Sequence, residues 1–178
     1  MAEKTSRSLL TLPVELVYRI LDKLDMFTIL FSMQNVCTRL DVILRMYSRY
    51  QTLTNLDIRY NKIGLHGAKY LANLLQHNTT LTRLYLGHNE IGDQGTQYLA
   101  AGLLKNATLT NLNLWGNGIE NLGTKSLSIA LKHNTTLVTL DLRYNQISDR
   151  GARYLADALQ YNTVGLAPRS TILYMPSP

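Results

Sequence analysis

The chain has 178 residues, of which 46% are hydrophobic and 17% charged, a composition that supports a buried core and excludes a disordered polymer. Its formal net charge of +6 is spread along the chain: residues 1–50 carry seven Lys or Arg against five Asp or Glu, and residues 53–164 carry ten against seven. With no basic run and no basic stripe interleaved with aromatics, nucleic acid is disfavoured as a partner.

Residues Met1 to Ser8 lack the apolar stretch and cleavage site of a secretory signal, and no apolar run reaches the roughly 18 residues of a membrane span. Cys37 is the single cysteine, which excludes an intrachain disulfide and fits a reducing compartment. The expectation is a soluble cytoplasmic protein, with the nucleus as the other compartment, and no membrane partner.

Residues 9–50 read as three short helices. Pro13 suits a first helical turn, and Leu16, Ile20 and Leu24 fall on one face. A second apolar stretch from Met26 to Phe31 leads into Asn35–Leu40, and a third helix covers the span between Arg39 and Tyr50.

From Leu53 onward the sequence repeats every 28 residues without a gap: 53–80, 81–108, 109–136 and 137–164, opened by Leu53, Leu81, Leu109 and Leu137. Within each unit, Leu56/Ile58, Leu84/Leu86, Leu112/Leu114 and Leu140/Leu142 alternate with polar residues at period two, the mark of a short strand with one buried face. Asn61, Asn89, Asn117 and Asn145 follow, where an amide can hydrogen-bond the backbone of neighbouring turns as a ladder. Gly67, Gly95, Gly123 and Gly151 stand at the approach to a helix and permit close-packed backbone. The second half of each unit switches to helical period, with apolar stripes Ala68/Leu71/Ala72/Leu75, Thr96/Leu99/Ala100/Leu103 and Ala152/Leu155/Ala156/Leu159. Asn78, Asn106, Asn134 and Asn162 are expected to end each helix in a left-handed conformation. The fold class is therefore α/β: a right-handed solenoid with a parallel sheet inside its curve and helices outside. After Asn162 the pattern fails, leaving 165–178 as a tail in which Thr171–Met175 is expected to pair beside the fourth strand.

The unit L-x-x-L-x-L-x-x-N-x-I-x-x-x-G, in four copies over 53–164, resembles the ribonuclease-inhibitor subtype of leucine-rich repeat. That resemblance implies a horseshoe that binds proteins on its strand face. Four repeats are few for the subtype, which leaves open a fragment, a short paralogue or a chain that pairs through its C-terminal edge. Residues 1–50 resemble an F-box at Leu12, Pro13, Glu15, Leu16, Ile20, Leu21, Leu24, Asp25, Val36, Cys37 and Arg39, departing from it at Leu40, where the family has Trp. The F-box resemblance implies docking to the adaptor of SCF ubiquitin ligases through Leu12, Pro13, Glu15, Leu16, Ile20 and Leu21. A helical cap over the first repeat's apolar edge would carry the same pattern, so both readings stand. The leading functional expectation is a substrate receptor of such a ligase; the alternative is a plain repeat scaffold or sensor with a capped end. A GTPase activator of the repeat type would need a longer horseshoe and a catalysis-supporting surface that the sequence does not locate.

The strand residues that alternate with the buried leucines should face the partner: Asn55, Asp57, Arg59 and Tyr60; Arg83, Tyr85 and His88; Asn111, Asn113 and Trp115; Thr139, Asp141, Arg143 and Tyr144. Of these, Tyr85, Trp115 and Arg143 are the expected anchors, and Asp57 and Asp141 the expected charge determinants. Trp115 is read as exposed, so that its truncation should leave stability unchanged. Aromatic side chains can equally serve a sheet face by cross-strand pairing. No H-E-x-x-H, phosphate-binding glycine loop or serine-nucleophile motif is present, and His77 and His133 lie two repeats apart. Hence no catalysis, metal or cofactor is expected. The acceptor-like triplets at Asn78, Asn106 and Asn134 recur because the repeat recurs.

Overall fold

A computed structural model describes residues 53–161 and 171–173. The chain divides into two compact units, Met1–Gln51 and Thr52–Pro178, and the described residues belong to the second. The helices expected over residues 9–50, and with them the F-box-like positions Leu12, Pro13, Glu15, Leu16, Ile20 and Leu21, lie outside the described residues, as does Asn162.

Strands and helices alternate: β1 (Asn55–Asp57), α1 (Gly64–His77), β2 (Arg83–Tyr85), α2 (Gly92–Leu103), β3 (Asn111–Asn113), α3 (Asn121–His133), β4 (Thr139–Asp141), α4 (Asp149–Tyr161) and β5 (Thr171–Leu173). The five strands form one parallel sheet in chain order. Leu56, Leu84, Leu112, Leu140 and Ile172 stand in one register row across it. The fifth strand is the one expected from the tail. Parallel strands sit about 4.8 Å apart, whereas packed helices need about 8–10 Å. A layer of helices covering a layer of strands therefore bends the stack, with the sheet on the inner side.

The core lies between these layers. Leu84, Leu86, Leu109, Leu112, Leu114, Leu140 and Leu142 from the strand side meet Leu71, Leu75, Leu99, Leu103, Leu127 and Leu131 from the helices, and all are buried. Strand turns are held by the expected asparagine ladder. Asn89 Oδ1 accepts from the Asn61 backbone N–H at 2.8 Å, Asn117 Oδ1 from that of Asn89 at 2.9 Å, and Asn145 Oδ1 from that of Asn117 at 2.9 Å. Each Nδ2 donates to the preceding repeat, Asn89 to the Ile58 carbonyl, Asn117 to Leu86 and Asn145 to Leu114, at 2.9–3.0 Å. Buried backbone groups that a tight turn would orphan are thereby satisfied.

Three sequence expectations are corrected. Asn78 and Asn134 end their helices in extended backbone (φ −79, ψ 130 and φ −77, ψ 125), not in the left-handed region. Their side chains, with that of Asn106, instead accept from the N–H three residues on (Leu81, Leu109 and Leu137) at 2.6–2.8 Å, turning the chain straight toward the next strand. The repeated glycines lie inside the helices, at their fourth residue in α1, α2 and their third in α3, α4. On α4 the stripe is incomplete: Leu155 is buried, but Ala156 and Leu159 are exposed while Ala158 is buried. The positions equivalent to Ala156 and Leu159 in α1–α3 are covered by the following helix, which α4 lacks among the described residues.

Two stability predictions follow the packing. Leu112→Ala removes a fully enclosed side chain in the middle of the stack and should cost about 2–5 kcal/mol, read as one cooperative urea transition at a lower midpoint. Gly102→Ala, favourable by about 1 kcal/mol on helix propensity alone, places a Cβ 2.7 Å from the Ala72 carbonyl oxygen and 2.9 Å from its Cα. It should therefore destabilise by about 1–3 kcal/mol; an unchanged midpoint would mean that α1 and α2 separate freely.

Candidate protein-binding face

Because adjacent strands pair in register, the outward surface of the sheet is a surface of side chains in rows. Backbone pairing continues past the strands, as Tyr60 N–H donates to Gly87, His88 N–H to Trp115 and Gly116 N–H to Arg143. The row after the strands reads Arg59, Gly87, Trp115, Arg143, and the next reads Tyr60, His88, Gly116, Tyr144. This second row is left-handed throughout, with φ of 61, 54, 64 and 54. A side chain there costs about 1–2 kcal/mol, so the three non-glycine residues are a departure from what the backbone prefers.

In the two central repeats the glycine and the bulky residue exchange places. A Cβ on Gly87 would come 3.0 Å from the Trp115 ring, and a Cβ on Gly116 would come 2.9 Å from the His88 ring. Each glycine thus leaves room for the ring of the neighbouring repeat, and the result is a continuous aromatic strip. Tyr60 stacks on His88 (centroids 4.9 Å, interplanar 12°). Trp115 meets His88 edge to face at 4.0 Å, Tyr60 at 6.1 Å and Tyr144 at 5.6 Å. Tyr60 and Tyr144, at its two ends, are each 65% exposed.

Two ion pairs frame the strip. Arg59 donates through Nε and one Nη to the two oxygens of Asp57 at 2.9 and 2.6 Å. Arg143 does the same to Asp141 at 3.0 and 2.8 Å. Hydrogen bonding from the Arg59 fork holds the Asp57 carboxyl below its ordinary range, against the opposing effect of burial. Each carboxylate in turn keeps its guanidinium more firmly protonated. The second pair is tied further, since Asn113 Nδ2 donates to Asp141 at 2.9 Å. The arginines stay 47% and 44% exposed.

The residues singled out from sequence are thus sorted. Tyr60, His88, Trp115 and Tyr144 are brought together; Arg59 and Arg143 flank them; Tyr85 is half-buried, 5.7 Å beneath the Arg59 guanidinium. Two readings need correction. Asp141 is buried and already committed to Arg143 and Asn113, so it is a support and not a free charge determinant. Trp115 is not a freely exposed anchor: its ring is half-buried among three others, because Gly87 opens the space beneath it. Gly87 and Gly116 were not recognised as part of the face, although the reversed order Gly-His and Trp-Gly at one repeat position was the signal. Asp93 and Asn121 also escaped notice. Their Oδ1 atoms accept from the Gly123 and Gly151 N–H at 2.8 Å, joining each helix start to the next.

Among the described residues no three His, Cys, Asp or Glu side chains cluster as a metal site would require, and no helix is long and apolar enough to cross a membrane.

Truncating Trp115→Ala should lose about 1–3 kcal/mol, from three ring contacts of roughly 0.5–1.5 kcal/mol each with some mutual compensation. Tyr144→Gly gives up one ring contact and relieves a left-handed side chain, so its stability should stay within about 1 kcal/mol of the parent. Thermal melts of the pair check both; a greater loss for Tyr144→Gly would reverse the account. In carbon-detected NMR the Asp57 carboxyl should titrate below the usual aspartate value and return toward it in Arg59→Gln.

The Leucine Rich repeat family matches residues 51–72, 77–100, 105–128 and 133–156, together more than half of the chain. No curated protein matches the sequence. Among solved structures, one of leiomodin-1 actin-binding site 2 superposes with a TM-score of 0.66 at 23% identity, covering 74% of this chain and 78% of that one. That identity supports a shared fold alone. With four matched copies in the 28-residue register and the strand–helix stack they build, the chain belongs to the leucine-rich repeat family.

Proposed function

We propose that this protein is a non-catalytic interaction scaffold that binds a partner protein across the outward face of its sheet. The observation that carries the reading is the aromatic strip from Tyr60 to Tyr144, whose exposed ends sit on backbone that disfavours side chains. Large rings and arginines supply most of the energy in protein interfaces. The structural neighbour named for an actin-binding site is in keeping with a protein partner, without identifying one.

A finer reading makes the scaffold the substrate receptor of an SCF ubiquitin ligase inside the cell. It rests on the F-box-like residues Leu12, Pro13, Glu15, Leu16, Ile20 and Leu21, while the family match covers only the repeats. The plain scaffold is therefore the reading preferred.

Capture by chemical cross-linking tests both. A partner retained by the parent chain and by Arg153→Ala on α4, but lost by Tyr60→Gly/Tyr144→Gly, is the expected result. A partner set unchanged by the double glycine variant would remove the strand face from consideration. Independently, purified SCF adaptor should be pulled down by the parent and not by Leu12→Asp/Leu16→Asp if the receptor reading holds; no pull-down by the parent would end it.

A further inference from the structure

Resting on the strand face as the binding surface, we propose that its occupant is an acidic peptide segment lying extended across the strands. Two of its carboxylates, four residues apart, engage Arg59 and Arg143, and an apolar or aromatic side chain between them seats on Trp115.

Donor geometry leads to this class of partner. Each Asp fork uses Nε and one Nη of its arginine. A guanidinium carries five N–H donors, so the edge formed by both Nη atoms keeps its donors. The carboxylate two residues earlier in the chain fixes the plane of that edge, which removes much of the rotamer freedom an arginine otherwise loses on binding. Both arginines are therefore oriented and open, at nearly half exposure. A carboxylate is the group that matches such an edge with two parallel hydrogen bonds.

Spacing sets the ligand's register. β1 and β4 are three strand steps apart, about 14 Å at the usual separation. An extended chain covers that distance in about four residues. Midway, the Trp115 ring is held by His88, Tyr60 and Tyr144 and presents a rigid apolar platform. Charge agrees in sign: across the face Asp57 and Asp141 are each matched by an arginine, and Arg83 in β2 is an exposed cation with no ion pair among the described residues. A surplus of one cation suits a short acidic segment. It is too small for a nucleic-acid strand, whose binding depends on many unneutralised cations that release counterions.

Trp115 is the only tryptophan, so its emission reports on the site directly. The probe is a capped, labelled peptide with the central sequence Glu-Ala-Phe-Ala-Glu, followed by Trp115 fluorescence and by anisotropy of the label. Its comparators carry Gln or Lys in place of both Glu, and oligouridylate is the nucleic-acid probe. The acidic peptide should bind about tenfold or more tightly than the Gln peptide, the Lys peptide should not bind, and high salt should erode the difference. Arg59→Gln/Arg143→Gln, with its fold checked by circular dichroism, should abolish the preference for Glu while leaving the Gln peptide unaffected. Equal binding of the Glu and Gln peptides, tighter binding of oligouridylate, or no binding of the acidic peptide would each overturn the proposal. If the acidic peptide fails while Tyr60→Gly/Tyr144→Gly still loses its cross-linked partner, the face stands and the ligand chemistry falls. If both fail, the face falls with it.

Discussion

A buried asparagine amide is the interaction on which the remainder of this fold depends. A strand of three residues makes few backbone bonds of its own, and the chain must then leave the sheet through turns packed inside the stack. Asn89, Asn117 and Asn145 resolve this by accepting from the turn of the previous repeat and donating to its carbonyls. An amide is the side chain that offers both a carbonyl acceptor and two N–H donors on a short stem, which is why Asp or Leu would fail there. Stability in such a stack is a sum of units and the contacts between neighbours, and the amides place part of each unit's polar bonding in the next one.

Since leucines, amides and helix-start contacts carry the fold, the outward residues need not match from repeat to repeat, even where, as at Asp141 and Trp115, they pack against one another. Their variation from repeat to repeat is what gives the face an identity. The first and fourth repeats repeat the Asp–Arg fork and an exposed tyrosine, while the central two interlock through Gly87 and Gly116. The face is thus polar and charged at both ends with a rigid aromatic middle. Rigidity matters because a partner meeting a prearranged surface need not supply the energy to arrange it.

Much of this was legible in the sequence. The strand register, the helices and the first asparagine ladder all follow from one repeated pattern, because each conserved spacing corresponds to a single bonding role. The expected fifth strand also formed, although its segment lies outside the repeat. What escaped were relations between repeats. That Asn78 and Asn134 stay extended depends on their bonds to the next strand's backbone, not on the preference of Asn for left-handed termini. The partial burial of Trp115 depends on a glycine 28 residues earlier, and the buried state of Asp141 on Asn113 in the neighbouring strand. A reading that aligns repeats to find what they share averages such differences away. The exposed flank of α4 was missed for a similar reason: Ala156 and Leu159 stand at the same repeat positions as their buried counterparts but have no following helix among the described residues to cover them.

The exchange of glycine and ring between the second and third repeats also constrains how such a chain can be rearranged. Near-identical units invite duplication, deletion and shuffling, and a new copy would keep the leucines and amides in step wherever it was spliced. It would not keep the strip. A second copy of the Gly-His repeat inserted between the two would put Trp115 beside Gly87's twin but leave the first His88 facing another imidazole instead of Gly116. The leucines and amides therefore keep step in any order of the repeats, while the surface they display exists in one order alone.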